Sequence, residues 1–350
     1  MVKKFSYFFS ILGLALVIPH AFAVVQSKEL YLYNWSEYLP KEVIASFEKE
    51  TGIKVFYSTY TSNEAMYAKI KLLDKKNSYD LVVPSTYFLS KMRNENNLAK
   101  IDKSLLKNFK NLDNSLLDKP FDPKNEYSVP YLWGTTGIAV QRTRLKEAKV
   151  SAWADLWRPE FKQRILMTND MREVFYVGLK VVGYSGNSTD PKQIETAFKM
   201  LKTLAPSIKV YNSDAPRTPY LEGETDVGMI WNGEVFLGRK KDKALSYVYP
   251  KEGAIIWMDS FVIPKNARNV ANAHQFIDYI LRPAVAKKIS ETVGYASPNQ
   301  AAVALLSKEV REDRVVYPQE VDLKNAEFLL DVGSAIGEYQ KYWEKLKLAR

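Results

Sequence analysis

Glu29-Leu30-Tyr31-Leu32-Tyr33-Asn34 reads as a β-strand, and the residues from there to Val83 complete a strand–helix alternation that decides the fold. Pro40 to Thr51 reads as a helix. Pro40 suits a first turn, Val43, Ile44 and Phe47 share a face, and Gly52 closes the helix. Ile53 to Tyr60 is the next strand. Ser62 or Asn63 then caps a helix whose Met66, Ile70 and Leu73 fall at helical spacing. Tyr79 to Val83 is a third strand, stopped by Pro84. A βαβαβ opening implies a mostly parallel sheet with right-handed crossovers.

A second α/β unit comes next. Arg164 to Met167 and Asp226 to Trp231 read as strands, and Asp170 to Gly183 and Asp190 to Leu204 as helices. Gly253 to Pro264 returns as a strand before a helix from Ala271 to Leu281. A chain of 350 residues exceeds what one apolar core usually organises. The expected architecture is α/β with two lobes in a hinged clamshell, each a mixed, mostly parallel sheet flanked by helices. Crossings are expected near the Gly134 to Gly137 cluster and near Gly253. They divide the chain into residues 24–137 with 258–305 and residues 138–257 with 306–350, with a ligand cleft between.

Composition excludes several classes of chemistry. Residues 1–23 combine a basic start, an apolar run from Phe5 to Ile18 and an Ala-Phe-Ala tail, which reads as a signal peptide cleaved after Ala23. No later stretch is apolar enough to span a membrane. The absence of cysteine removes disulfides, thiolate metal sites, a cysteine nucleophile and a lipid anchor on cysteine. The expectation is an exported, unanchored periplasmic protein, without cofactor or metal. Of the two histidines only His274 would remain after export, and it reads as an ordinary surface or helix-cap residue. The net charge of +10 is spread through helical patterns with no phosphate loop or arginine stripe, so nucleic acid is not the expected partner.

Four apolar runs end in an aromatic residue beside a small polar or acidic one. They reach Trp35-Ser36-Glu37-Tyr38, Pro84-Ser85-Thr86-Tyr87, Trp231-Asn232-Gly233-Glu234 and Trp257-Met258-Asp259-Ser260. Ligands of α/β proteins bind beyond the carboxyl ends of strands. Aromatic faces attract cations and carboxylates pair with them. Singly, each ring reads as a core residue near a turn; together they point to a pocket for an organic cation. Asp170 and Glu173 are three apart and can share a helix face. By themselves they also read as acids placed for the helix dipole.

These runs, together with Tyr184-Ser185-Gly186-Asn187-Ser188-Thr189-Asp190-Pro191 and Gly294-Tyr295, resemble the periplasmic spermidine/putrescine-binding proteins (PotD type) from about Leu30 to Arg350. The resemblance implies a non-enzymatic, monomeric protein that delivers polyamine to the membrane permease of an ABC importer. It implies that Trp35, Tyr38, Tyr87, Trp231, Trp257 and Tyr295 wall the cleft. Asp170, Glu173 and Asp259 would pair with ammonium groups, and Ser36, Ser85 and Ser213 would offer hydrogen bonds. Two positions depart from that pattern. Ser36 stands where threonine is expected, which keeps the hydroxyl. Leu329 stands where a cleft glutamine is expected, leaving the ranking of putrescine and spermidine open. A polyamine sensor for a membrane signalling protein would share every cleft residue. An exported hydrolase using Asp170, Glu173 and Asp259 as paired carboxylates is the enzymatic alternative.

Overall fold

The computed structural model describes residues 1–2, 27–73 and 78–349; the signal-peptide segment at residues 3–23 lies outside them. The opening unit comprises β1 (Glu29–Trp35), α1 (Lys41–Thr51), β2 (Lys54–Tyr60), α2 (Asn63–Leu72), β3 (Leu81–Val82) and α3 (Thr86–Asn94). Local chemistry sets its boundaries. Gly52 adopts the left-handed φ of 70° and its N–H bonds Glu48 O, closing α1. Ser62 Oγ accepts the Ala65 N–H at 3.2 Å and starts α2. Strand β1 pairs in parallel with β2, from Glu29 opposite Lys54 to Trp35 opposite Tyr60, and on its other side with β3.

The chain then enters β4 (Ser128–Gln141), a 14-residue strand. Beyond it lie β5 (Ile165–Met167), α4 (Met171–Val181), α5 (Pro191–Leu204), β6 (Ile208–Tyr211), α6 (Thr218–Glu222), β7 (Val227–Trp231), α7 (Asn232–Arg239) and β8 (Leu245–Val248). It returns through β9 (Ile255–Val262), α8 (Val270–Ile280), α9 (Pro283–Val293), α10 (Gln300–Val303), α11 (Lys308–Arg311), β10 (Glu327–Phe328) and α12 (Ile336–Lys347).

All strands join one sheet in the order β2-β1-β3-β9-β4-β7-β5-β6, with β8 on β4 and β10 on β9. The outer strands are parallel, as the strand–helix alternation requires. Every antiparallel pair of strands involves β4 or β9. The first half of β4 lies against β9, while its second half is held between β7 and β8. Thus β4 and β9 belong to both halves of the sheet, and their central residues form its waist.

Apolar alternation on β1 feeds two faces. Leu30 and Leu32 pack with Val43, Phe47 and Phe276, whereas Tyr33 faces Val82, Met66 and Tyr87. At the far end, α4, α5 and α12 cover the sheet through Val174, Ile194, Leu201 and Tyr339. His274 is not on the surface: it is 2% exposed on α8, and its Nε2 accepts the Asp102 N–H at 2.9 Å. The segment at Asp102 packs on α8 over the ring, whose nitrogens satisfy backbone groups (Nδ1 lies 2.8 Å from Val270 O).

Candidate functional site

The waist forms the floor of a cavity whose open space, counted to its mouth, is about 870 Å³. Ile255, Trp257 and Asp259 alternate along β9, so all three side chains point into it. Opposite Trp257 stands Gly134, where a Cβ would lie 2.6 Å from the indole. Glycine is needed there because the indole lies directly against the β4 backbone. Trp257 and Asp259 therefore sit inside a strand rather than at its exit, contrary to the strand-end reading. The reason is that β9 crosses the waist and meets the cavity at mid-length. Trp35 and Trp231 do end their strands, and Tyr87 stands in the first turn of α3.

Asp259 is one acidic locus. Tyr38 Oη donates to its Oδ2 at 2.7 Å and Ser85 Oγ to its Oδ1 at 2.5 Å. Burial pushes its carboxyl up to about 7, and these hydrogen bonds restrain the rise. Tyr38, Tyr295 and Trp257 surround it edge to face, with centroids 5.5 and 5.1 Å apart. Tyr295 can approach because Gly233 carries no side chain to meet its ring.

Glu173 is the second locus. It accepts from Thr136 Oγ1 at 2.7 Å, Thr168 Oγ1 at 3.0 Å and Trp231 Nε1 at 3.2 Å. Burial, then the nearby Asp170 charge, pushes its carboxyl up to about 8. Asp170 caps α4 through the Glu173 N–H at 3.0 Å, and its second oxygen lies 3.3 Å from Tyr87 Oη. Burial raises Asp170 as well. Tyr87 Oη also lies 3.2 Å from Glu64 Oε1, and burial beside Asp170 brings Glu64 to about 7. The fully buried Arg172 donates to Leu330 O at 2.9 Å, and its guanidinium, 5.7 Å from the Tyr87 ring centroid, partly offsets the rise of Asp170 and Glu64.

The strand register gives the spacing between the loci. Asp259 is opposite Leu132, and Glu173 is held on Thr136, four residues further along β4. At about 3.3 Å per residue the two loci are separated by about 13 Å. Trp257 lies between them on the floor, and Trp35 and Trp231 meet edge to face, with centroids 6.3 Å apart and planes at 69°. Trp35 is fixed by its Nε1 donating to Val83 O at 3.1 Å.

The structure brings every candidate residue to this one cavity: Trp35, Ser36, Tyr38, Ser85, Tyr87, Asp170, Glu173, Ser213, Trp231, Trp257, Asp259, Tyr295 and Leu329. Ser36 Oγ donates to Asp214 Oδ1 at 3.2 Å, and Ser213 Oγ accepts the Asn169 N–H at 2.9 Å. The apolar Leu329 side chain is 3% exposed, and its carbonyl accepts Thr86 Oγ1 at 2.8 Å. Sequence reasoning missed Glu37, Asn63 and Glu234, which also line the cavity, and Glu64 behind Tyr87. Glu37 and Glu234 lay within the aromatic runs that marked the site. Glu64 carried no signal beyond that of a first-turn helix acid.

Buried carboxyls at both ends of an aromatic slot can hold an elongated organic cation. Among the described residues no cluster of three histidine, cysteine or acidic side chains is arranged to bind a metal ion. No helix among them is long and apolar enough to cross a membrane.

Residues 42–316 match the bacterial extracellular solute-binding protein family. The chain is 53% identical over 92% of its length to the spermidine/putrescine-binding periplasmic protein of Escherichia coli K12, covering 92% of that protein. It is 34% identical to the putrescine-binding periplasmic protein PotF of the same organism, over 91% of each chain. Among solved structures, the spermidine/putrescine ABC transporter substrate-binding protein PotD of Streptococcus pneumoniae superposes with a TM-score of 0.79. It is 37% identical, and the match covers 92% of this chain and 99% of that one.

Proposed function

The chain belongs to the bacterial extracellular solute-binding protein family, whose members bind and do not catalyse, and from that premise we propose that it captures polyamines. We assign it to the periplasm and to delivery of its cargo to the membrane permease of an ABC importer. The names of its relatives favour this role over a signalling one. The lobes are assigned as residues 24–137 with 258–305 and residues 138–257 with 306–350, closing over ligand at the β4–β9 waist.

One observation carries the reading: the Glu173 and Asp259 loci are offset by four residues along β4, about 13 Å at about 3.3 Å per residue, with the Trp257 indole between them. Bonds of about 1.5 Å in an extended chain advance about 1.25 Å each, so four methylenes separate two amines by about 6 Å. A charge-assisted hydrogen bond of about 2.8 Å at each end brings the span to about 12 Å. A four-carbon diamine unit therefore matches the slot, and both putrescine and spermidine contain one. Trp35, Trp231 and Trp257 would cover its methylenes, each contributing about 0.8 kcal/mol when buried. Desolvated ammonium–ring contacts add up to about 2 kcal/mol each. Tyr38, Tyr87 and Tyr295 complete the wall; Ser36, Ser85 and Ser213 supply hydroxyls. Micromolar binding requires only about 8 kcal/mol net.

The test is calorimetry on the purified mature chain with putrescine, spermidine and 1,4-butanediol. Binding of the amines without the diol is expected. Absence of heat with both amines, or equal affinity for the uncharged diol, refutes the reading.

A further inference from the structure

Glu37 and Glu234 line the cavity beside Trp35 and Trp231, the two indoles that meet edge to face there. Glu37 lies just beyond β1, while Glu234 lies in the first turn of α7, so the acids come from opposite halves of the molecule. Arg217, at the start of α6, joins them: Nη2 meets Glu37 Oε2 and Nη1 meets Glu234 Oε2, both at 2.8 Å. A neighbouring contact from Ser36 Oγ to Asp214 Oδ1 at 3.2 Å crosses the same boundary. The Glu234 side chain is 10% exposed, the Arg217 side chain 18% and that of Glu37 65%. The protein's own guanidinium thus fills a third acidic locus of a cavity otherwise built for cations.

We infer that Arg217 sets ligand selectivity by occupying the Glu37–Glu234 pair, leaving two acidic loci to count the ammonium groups of the cargo. The inference rests on the polyamine reading above and adds to it a residue that touches no ligand. Arginine suits the task because its planar fork reaches two carboxylates at once and stays charged. With the guanidinium in place, an ammonium arriving near Trp35 and Trp231 finds both carboxylates already engaged and half of their charge cancelled, and gains little. Without it, Glu37 faces the cavity unpaired and attracts a third ammonium, which a triamine supplies and a diamine does not.

Calorimetry with putrescine and spermidine on wild type and on variants at Arg217 tests this. Arg217→Met is expected to raise the spermidine-to-putrescine affinity ratio about ten-fold, the scale of one charge-assisted contact. Arg217→Gln keeps a polar group between the acids, tests the same loss of charge should the methionine variant not fold, and is expected to shift the ratio likewise. The double change Arg217→Met with Glu37→Gln should return the ratio to the wild-type value. An unchanged ratio in both single variants, or a shift that persists in the double variant, overturns the inference. Wild-type protein that binds neither amine refutes the polyamine reading itself, so the two failures are distinguishable.

Discussion

Filling the cleft with a cation should release protons, because its acids are uncharged in part while it is empty. Burial holds Asp259 at about 7 and Glu173 at about 8. An ammonium at hydrogen-bond distance favours the carboxylate and draws both values down. At pH 7 a group titrating near 8 is about nine-tenths protonated and one near 7 about half. Binding at that pH should therefore release about one to two protons. The two amines of putrescine stay charged up to about pH 8, so its affinity rises with pH to that point. Relative to pH 8, binding at pH 6 should be weaker by about a hundred-fold or more, with Glu173 and Asp259 each contributing at least about one unit, at 1.36 kcal/mol per unit. Calorimetry at pH 7 in two buffers of different ionisation enthalpy reads the number directly as the slope of observed heat. A slope of zero, or net proton uptake, refutes the claim that these acids are neutralised by burial in the empty cleft.

The same geometry has other consequences. Asp259→Asn should weaken putrescine binding about a hundred-fold, because it leaves a buried ammonium without its counter-charge, and reduce proton release by about half a proton. Titration at pH 7 checks both. Without ligand, the raised carboxyls make the folded state bind more protons than the unfolded chain between about pH 4 and 8. Their contribution to stability therefore falls as pH rises through that window, and thermal melts should show the midpoint dropping, with saturating putrescine flattening the trend. Gly134→Ala places a methyl against the Trp257 indole. It also meets Asn232 Oδ1, so it should destabilise the fold by about 1–3 kcal/mol, the cost of overpacking, read as a lower melting midpoint, and lower putrescine affinity as the indole is displaced. Leu329→Gln introduces an acceptor into an apolar part of the wall. It should change the spermidine-to-putrescine ratio measured by competition, whereas an unchanged ratio removes Leu329 from selectivity.

The legible parts of the fold are those whose chemistry is local. Gly52, Ser62, Asp170 and Asp190 mark helix ends with caps that any α-helix needs, and they do so in the structure. Pro283 reads as a stop for α8, yet it also opens α9, because proline is tolerated in a first turn where no N–H partner is required. The 14-residue β4 carries the waist but reads only as an aromatic and glycine cluster. Its two halves serve different neighbours, so no single alternation runs along it.

At the site, rings and acids are visible because Trp35, Trp231 and Trp257 stand beside polar residues in otherwise apolar runs. Their common destination comes from the family resemblance, since Asp170 and Glu173 alone read as ordinary first-turn acids. The pairing of Glu37 with Arg217 spans 180 positions and depends on how the two halves meet. No local pattern encodes it.

A crystal structure of the mature protein with putrescine tests the central claim most directly. The account predicts one ligand nitrogen within about 3 Å of Asp259 and the other within about 3 Å of Glu173, with the methylenes across Trp257. Putrescine ordered elsewhere, or lying in the cavity with neither acid in contact, would contradict it.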